Sequence, residues 1–443
     1  MPGLDSKIMF AVVAFVLMYL SFGLNFFQAV NPDKFYSTAN NDDSLVIGRM
    51  VQSREHGLFS AQARMGRFMG LEGDMHYNQT RRYLGQIEGG EYTPYNSQFG
   101  IQGVLFSGID MLLSDYVISA ELRLKLYRTI TALLFSLVLT GLLVMMFDDI
   151  GLTAVSLILV SILFSRWQVY YSKSMYWSLS TMFLPMFFLF MACKLESSGR
   201  KINLILLSLC IMLLIMLDAL MGYEYITTVM LAAITPLVYF MMRDNWGYER
   251  LLKRMLLIGS FALAGFLIAI LLHLYQLKLA SGNFTDAFEI IKERLLARTY
   301  TNPEDYAGTA YYESQQTSVF YVLYVYLIKG GTFRLKVPFI LWVLMLVNIT
   351  IKSRRNKSGF DEEKANIINT LIVTSWFSLL ASLSWIVLAK SHSEIHTQVN
   401  YIVWHLPFMF FVFALFGLYW EDNINLFLKS AWRRVTSPPS LKK

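Results

Sequence analysis

The chain has 443 residues, of which 55% are hydrophobic and only 16% are charged, and its mean hydropathy is +0.46. Soluble proteins carry roughly 25% charged residues, so this composition argues against soluble enzymes, disordered chains and secreted disulfide scaffolds. The net charge of +7 is explained better by basic loops on the cytoplasmic side of a membrane than by nucleic-acid binding. The sequence therefore predicts a polytopic membrane protein.

Ten apolar stretches, some of them marginal, approach the roughly 20 residues that a helix needs to cross a bilayer. The first is predicted to be a retained span and not a signal peptide, since no small-residue cleavage pattern follows it. The third is short and is predicted to be tilted or partly re-entrant. The sequence thus predicts an all-α membrane domain of about ten helices, with spans at 8–30, 128–147, 151–166, 176–194, 202–219, 225–242, 255–277, 335–352, 367–389 and 401–420.

The orientation of these spans follows from the distribution of Lys and Arg, which are enriched in cytoplasmic loops. With the N-terminus inside, the inward loops near residues 194–201, 243–254 and 352–364 are basic, as is the tail 421–443. The short outward loops hold far fewer basic residues. This asymmetry predicts that both termini are cytoplasmic.

Two long outward segments, 31–127 and 278–334, interrupt the pattern of short connections. Residues 44–69 and 101–118 of the first segment have apolar positions near helical spacing, and so does the stretch from Phe288 to Leu296 in the second. These patterns predict helices that lie along the membrane surface. Loops of mixed charge are where function tends to reside in a chain otherwise built for lipid.

Asp42 and Asp43 are adjacent carboxylates just beyond the first span. Such a pair can act as a general base, or as a base together with a ligand of a divalent cation such as Mg²⁺ or Mn²⁺. The alternative is that both only cap the N-terminus of a surface helix that begins near Ser44. The residues alone leave both interpretations open.

Lys390, His392 and His396 lie in the outward loop between the last two predicted spans. The two histidines are four residues apart and would share a helix face. Zinc would need a further ligand from elsewhere, so contacts with phosphate or pyrophosphate are the favoured function. The alternative is an interfacial belt of His, Tyr and Trp side chains.

Glu224 follows the fifth predicted span, next to Tyr223. A carboxylate beside a membrane segment is costly and indicates a functional site, unless it is simply solvated at the interface. Arg334 in the second long segment is a candidate anion contact. Arg49 and Gln98 in the first long segment complete the predicted substrate contacts.

Several short motifs, placed on this topology, resemble the GT-C superfamily of integral-membrane glycosyltransferases. In particular they are similar to bacterial members encoded with surface-polysaccharide genes. The motifs that carry the resemblance are Asp42-Asp43 early in a long outward loop, Tyr95, Ser97–Gly103, Ser174–Trp177 with Pro185, Gly222–Tyr225 and Lys390–Pro407.

The resemblance implies a bacterial inner-membrane enzyme whose active site faces the periplasm. It would move a sugar from a polyprenyl-phosphate donor to a hydroxyl of a lipid-linked or cell-surface glycan, such as O-antigen, with inversion and with Asp42 or Asp43 as general base. Lys390, His392, His396 or Arg334 would stabilise the departing phosphate, and Glu224 would orient a sugar hydroxyl. A flippase and a carrier-loading synthase are implied partners, and no cofactor beyond a possible divalent cation is implied.

Two other functions remain open from the sequence. An O-antigen polymerase also combines many spans with large outward loops. A flippase or transporter for lipid-linked glycans would place charged groups inside the spans, where Asp218 and His273 are the main ionisable residues. The concentration of charge in the outward loops therefore favours surface chemistry over translocation.

Overall fold

The structure is a computed structural model that describes residues 4–116, 119–334, 336–355, 360–425 and 427; the side chains of residues 4, 38–40, 42 and 398 lie outside this description. The described part is all-α apart from one small antiparallel sheet, formed by β1 (Gly66–Met69) and β2 (Glu91–Pro94) with Gly66 opposite Pro94. The helices of the first half are α1 (Leu4–Leu24), α2 (Pro32–His56), α3 (Met75–Tyr83), α4 (Ile101–Ser114), α5 (Ala120–Leu163), α6 (Arg166–Tyr171), α7 (Ser180–Ser197) and α8 (Leu204–Met221).

The second half contains longer membrane-type helices separated by short ones. Single turns of tighter or wider helix are found at Ser60–Ala63, Pro303–Tyr306, Val325–Lys329 and Tyr401–His405. The α-helices are α9 (Ile226–Arg243), α10 (Tyr248–Ser281), α11 (Phe284–Arg298), α12 (Ala310–Gln316), α13 (Val319–Tyr324), α14 (Phe339–Arg355), α15 (Glu362–Leu388), α16 (Lys390–Ile395), α17 (Thr397–Asn400) and α18 (Phe408–Tyr419).

Among the described residues, seven helical segments are long and apolar enough to cross a membrane, which confirms the membrane class. The predicted total of about ten spans is not confirmed. Two further predicted spans coincide with α7 and α14, which have 18 and 17 residues. The seven segments are Asp5–Leu24, Ala120–Leu163, Leu204–Met221, Ile226–Arg243, Tyr248–Ser281, Glu362–Leu388 and Tyr401–Tyr419.

The longest of these segments, α5, reverses direction at Gly151, whose φ of 76° and ψ of 172° are accessible essentially only to glycine. Phe135 stacks on a phenylalanine near the end of α1 with ring centroids 4.9 Å apart, whereas Phe147 contacts one in the first half of α1. The carbonyl of Leu163 again meets a serine near the end of α1, at 2.7 Å. The predicted spans 128–147 and 151–166 are therefore antiparallel arms of one helical hairpin.

Ion pairs join the helices at one end of the bundle, which is the end predicted to be cytoplasmic. They connect the start of α1, the turn at Gly151, the α7–α8 and α9–α10 connections and the start of α15. The first long segment and the 390–400 region lie at the opposite end. The pairs include Lys7–Asp148 at 2.6 Å, Lys194–Asp149 at 2.9 Å, Arg243–Asp149 at 2.9 Å, Arg254–Glu196 at 2.6 Å and Lys364–Glu421 at 3.2 Å.

The first long segment folds around α2, which starts earlier than the sequence suggested. The side chain of Asn31 caps α2 by accepting hydrogen bonds from two backbone N–H groups of its first turn. The interpretation of Asp42 and Asp43 as caps of a helix beginning near Ser44 is therefore wrong, because both lie inside α2. The predicted helix over 44–69 ends at His56, since the next residue is a glycine with φ of 90°, and the last part of that stretch is β1.

The second long segment contains the predicted amphipathic helix, which is observed as α11. The side chain of Asn283 caps it by accepting from the backbone N–H of Asp286. The helix ends at Arg298, and the short helices that follow it pack toward α16. The positioning of α11 matters because its basic residues form one wall of the site described below.

Candidate active site

A polar cavity of about 360 Å³ lies between the first long segment, α11 and the 390–400 region. Basic and aromatic side chains dominate its wall, and Glu224 is its acidic lining residue among those whose side chains are described. Because the lining residues come from distant parts of the chain, the cavity exists only in the folded bundle. Its wall consists of Asn41, Leu45, Arg67, His76, Tyr95, Ser97, Tyr176, Trp177, Glu224, Arg294, Arg298, Tyr311, His392, His396 and Val399.

An apolar groove of about 310 Å³ adjoins the polar cavity. It lies between α9, α10, α11 and α15, and it shares Ser97, Arg294 and Arg298 with the polar cavity. Its wall is otherwise mainly aliphatic and aromatic, including Phe266, Ile270, Ile291, Leu295 and Leu388. The two spaces together fit an amphiphile whose apolar part lies in the groove and whose polar part lies in the cavity.

Glu224 and Arg298 form an ion pair on the wall that separates the two spaces. Arg298 Nη2 lies 3.0 Å from Glu224 Oε1, and the side chains are only 11% and 7% exposed. Burial lowers the pKa of Arg298, but the carboxylate of Glu224 and the nearby tyrosine side chains together outweigh burial, so this pKa lies above its usual value. Arg294 lies one helical turn earlier on α11 and forms no hydrogen bond or ion pair with another residue among those that the structure describes. The boundary between groove and cavity is therefore cationic.

Asp43 is fully buried and lies behind the wall of the cavity. Its Oδ1 accepts hydrogen bonds from Ser174 Oγ at 2.9 Å and from the backbone N–H groups of Met175 and Tyr176 at 2.8 and 3.2 Å. Its Oδ2 accepts from Arg128 Nε at 3.1 Å. Burial raises the pKa of Asp43, and Arg128 opposes that rise. This carboxylate thus ties α2 to the loop before α7, whose residues Tyr176 and Trp177 line the cavity.

Asp42 belongs to α2, but its side chain lies outside the described residues. Its helical neighbours Asn41 and Leu45 both line the cavity. Residues three and four apart share a helix face, so position 42, three before Leu45, is adjacent to the lining face.

His392 on α16 and His396, the residue that follows α16, both line the cavity, with ring centroids 4.6 Å apart. His392 Nδ1 lies 3.3 Å from the amide nitrogen of Asn400. Burial lowers the pKa of both imidazoles below the usual value, so both are neutral near pH 7. They can offer neutral hydrogen bonds to a ligand but no full positive charge.

Lys390 is buried and does not line the cavity. Its ammonium donates to the backbone carbonyls of Gln315 and Thr317 at 2.7 and 2.9 Å. These bonds hold the C-terminal end of α12 against α16. The position of Lys390 supports a structural role in place of the predicted contact with phosphate.

Arg49 and Arg334 are predicted substrate contacts that the structure does not bring to the cavity. The guanidinium of Arg49 is buried and donates to the carbonyls of Leu58 and Ser60, which fixes the loop after α2. Arg334 is exposed, donates to the carbonyl of Gln28 at 3.3 Å, and borders a separate apolar groove.

Gln98 and Tyr223 lie close to the site. Gln98 donates to the carbonyl of Met221 at 2.6 Å and accepts from the hydroxyl of Tyr176 at 3.1 Å, which positions it beside Glu224. Tyr223 lines the apolar groove.

The sequence interpretation missed Arg298, Arg67 and His76 as parts of this site. Arg294 and Arg298 are four residues apart on an amphipathic helix, and that spacing already indicates a shared cationic face. The ion pair between Arg298 and Glu224 could not be predicted, because the two residues are 74 positions apart in the chain.

A divalent cation remains a prediction for this site. Within the ranges that the structure covers, no group of three His, Cys, Asp or Glu side chains is arranged to hold a metal ion. Both oxygens of Asp43 already accept hydrogen bonds, so the surroundings of Asp43 do not fit a metal ligand.

Comparison of the chain with family models, curated proteins and solved structures gives no match in any of the three.

Proposed function

We propose that the chain is a membrane glycosyltransferase that moves a sugar from a polyprenyl-phosphate carrier to a hydroxyl of a lipid-linked or cell-surface glycan. One observation carries this proposal: an apolar groove adjoins a polar cavity, with Arg294 and Arg298 on the boundary. A prenyl chain matches the groove, a phosphate matches the guanidinium pair because arginine binds phosphate oxygens well, and a sugar matches the polar cavity.

Asp42 is our choice for the general base, because its helical position adjoins two residues of the cavity wall. The base removes the proton of the acceptor hydroxyl as that oxygen forms a bond with the anomeric carbon. The bond from the anomeric carbon to the phosphate oxygen breaks, and the phosphate leaves with the bonding electrons. A single displacement of this kind inverts the configuration of the sugar.

The other polar groups have supporting roles in this scheme. Arg298 and Arg294 stabilise the charge that develops on the leaving phosphate. Glu224 keeps Arg298 in position across the boundary. Asp43 is a positioning residue, since it orients the loop that carries Tyr176 and Trp177.

The outward, periplasmic side of an inner membrane is our proposed location for the cavity. It lies at the end of the bundle opposite the basic ion-pair network, and Lys and Arg are enriched on the cytoplasmic side of membrane proteins. The enzyme would then depend on a carrier-loading synthase and a flippase to supply its donor.

Mass spectrometry of surface glycans tests the proposal in cells with the protein, cells without it, and cells that carry Asp42→Asn. Asp33→Asn is the matched control, since Asp33 is an exposed acidic residue of the same helix. We expect loss of one sugar increment in the null cells and in Asp42→Asn, with normal glycans in Asp33→Asn. All variants are compared at equal membrane expression.

Two results would contradict the proposal. Glycans that keep every sugar but become shorter would favour the polymerase. A glycan pool that is unchanged without the protein would favour transport or another reaction of a lipid-linked substrate. If the null cells lost the sugar but the Asp42→Asn cells kept it, glycosyl transfer would stand and the choice of Asp42 as the base would be wrong.

A further inference from the structure

The apolar groove contains two buried nitrogen atoms that have no hydrogen-bond partner among the described residues. They are Nε2 of His273 on α10 and Nε1 of Trp385 on α15. The two residues are only 1% and 6% exposed. A buried polar group without a partner costs free energy, so two such groups in one groove indicate a polar atom of a ligand at this place.

The chemistry of the two nitrogens indicates that the ligand atom between them is a hydrogen-bond acceptor. The indole N–H of tryptophan can only donate. The hydroxyl of Tyr223 lies 3.0 Å from His273 Nδ1, and when it donates to Nδ1, the ring proton of His273 resides on Nε2. Both groups then present N–H donors to the groove. A hydrocarbon chain cannot accept from them, whereas an oxygen of a phosphate can.

The residues around these two donors indicate which kind of ligand the groove binds. Arg298 and Arg294 line the same groove, so the site combines two neutral donors with two guanidinium groups. Guanidinium groups favour phosphate oxygens, and the remaining groove wall, with Phe266 and Ile270, is apolar.

We propose that His273 and Trp385 bind oxygens of the carrier's phosphate, together with Arg298, and so set the depth at which a polyprenyl phosphate sits in the groove. This inference rests on the proposed function and adds two binding residues to it. The sugar attached to the phosphate would then enter the polar cavity past the Glu224–Arg298 pair.

Direct binding to the purified protein in phosphatidylcholine nanodiscs tests this inference. The probe is a polyprenyl phosphate without sugar, and native mass spectrometry gives its apparent affinity. Two variants remove one donor each: Trp385→Phe retains most of the ring, and His273→Met has no N–H donor but keeps a weak thioether acceptor for the hydroxyl of Tyr223. Trp376→Phe is the control, because Trp376 lies on the same helix and its Nε1 donates to Thr350 instead.

Each donor variant should weaken binding of the polyprenyl phosphate about tenfold or more, as expected for a hydrogen bond to a charged group. Trp376→Phe should bind like the wild type. The free polyprenol, which has no phosphate and offers only one neutral hydroxyl oxygen, should lose less affinity in both donor variants than the polyprenyl phosphate does. Thermal unfolding of each variant verifies that it is folded.

The outcomes separate the inference from the function on which it rests. Equal affinity of wild type and both donor variants for polyprenyl phosphate would overturn the inference and leave the proposed function intact. Failure of the wild type to bind polyprenyl phosphate would overturn the proposed donor itself. If phosphatidic acid bound more tightly than the polyprenyl phosphate and showed the same dependence on the two donors, the site would belong to a phospholipid, which contradicts the inference.

Discussion

The Glu224–Arg298 pair should be a strong energetic link between the start of α9 and α11. Its atoms are 3.0 Å apart and both side chains are nearly buried. Two unit charges 4 Å apart attract by about 4 kcal/mol at an effective dielectric constant of 20. Removing one partner of such a pair typically costs about 3–5 kcal/mol, because the other charge stays buried alone. We therefore expect Glu224→Gln to lower the free energy of unfolding by about 3 kcal/mol or more.

Reversible unfolding in mixed SDS micelles can measure this loss. The matched control is Glu289→Gln, which breaks the ion pair of Glu289 with Lys292 on the exposed face of α11, where both side chains are about half exposed. Exposed pairs contribute about 0–1 kcal/mol, so the control should change little.

A double-mutant cycle with Arg298→Gln isolates the pair itself. The double variant should be more stable than the sum of the single losses predicts, since it leaves neither charge unpaired. A coupling energy below about 0.5 kcal/mol, or equal losses in Glu224→Gln and Glu289→Gln, would refute the assignment of this pair as a buried link.

Three further predictions concern residues around the site and the bundle. Burial lowers the pKa of Lys173 to about 7, so its charged form destabilises the folded state, and stability should rise from pH 7 toward 10. Lys173→Met should flatten that rise in thermal unfolding midpoints, and an unchanged pH profile would contradict the buried ammonium. Gly151→Ala should cost about 1–3 kcal/mol of stability through backbone strain alone, because a Cβ there meets nothing closer than 3.8 Å; equal stability would argue against the reversal. Tyr225→Phe removes a buried 2.9 Å bond to Asn400 Oδ1 and should cost about 1–3 kcal/mol, while a loss below that range would indicate that another donor satisfies Asn400.

Local features of the fold could be predicted from the sequence. Membrane-type helices and the amphipathic α11 depend on hydropathy and on 3.6-residue periodicity, which are properties of neighbouring residues. The separation of residues 128–147 from 151–166 was also predicted, and Gly151 is the residue that reverses the chain. The start of α2 at Pro32 was not predicted, because the stretch before Ser44 is polar and lacks the apolar periodicity that indicates a helix.

The site was only partly predictable, because its contacts join residues that are distant in the chain. Glu224 meets Arg298 across 74 positions, and Asp43 meets Ser174 across 131. Glu224, His392 and His396 were predicted from the sequence as substrate contacts, and all three line the cavity. Whether a charged residue faces a cavity or a backbone carbonyl depends on tertiary packing, and the buried bonds of Lys390 could not be inferred from its position in a loop.

The fate of the donor tests the central claim most directly. Lipid extracts of membranes can be compared by mass spectrometry between cells with the wild-type protein, cells without it, and cells with Asp42→Asn. If the protein discharges a polyprenyl-phosphate sugar, that lipid should accumulate in the null and Asp42→Asn cells, and the wild-type protein should restore its normal level. Unchanged levels of every polyprenyl-phosphate sugar in the null cells would contradict the account.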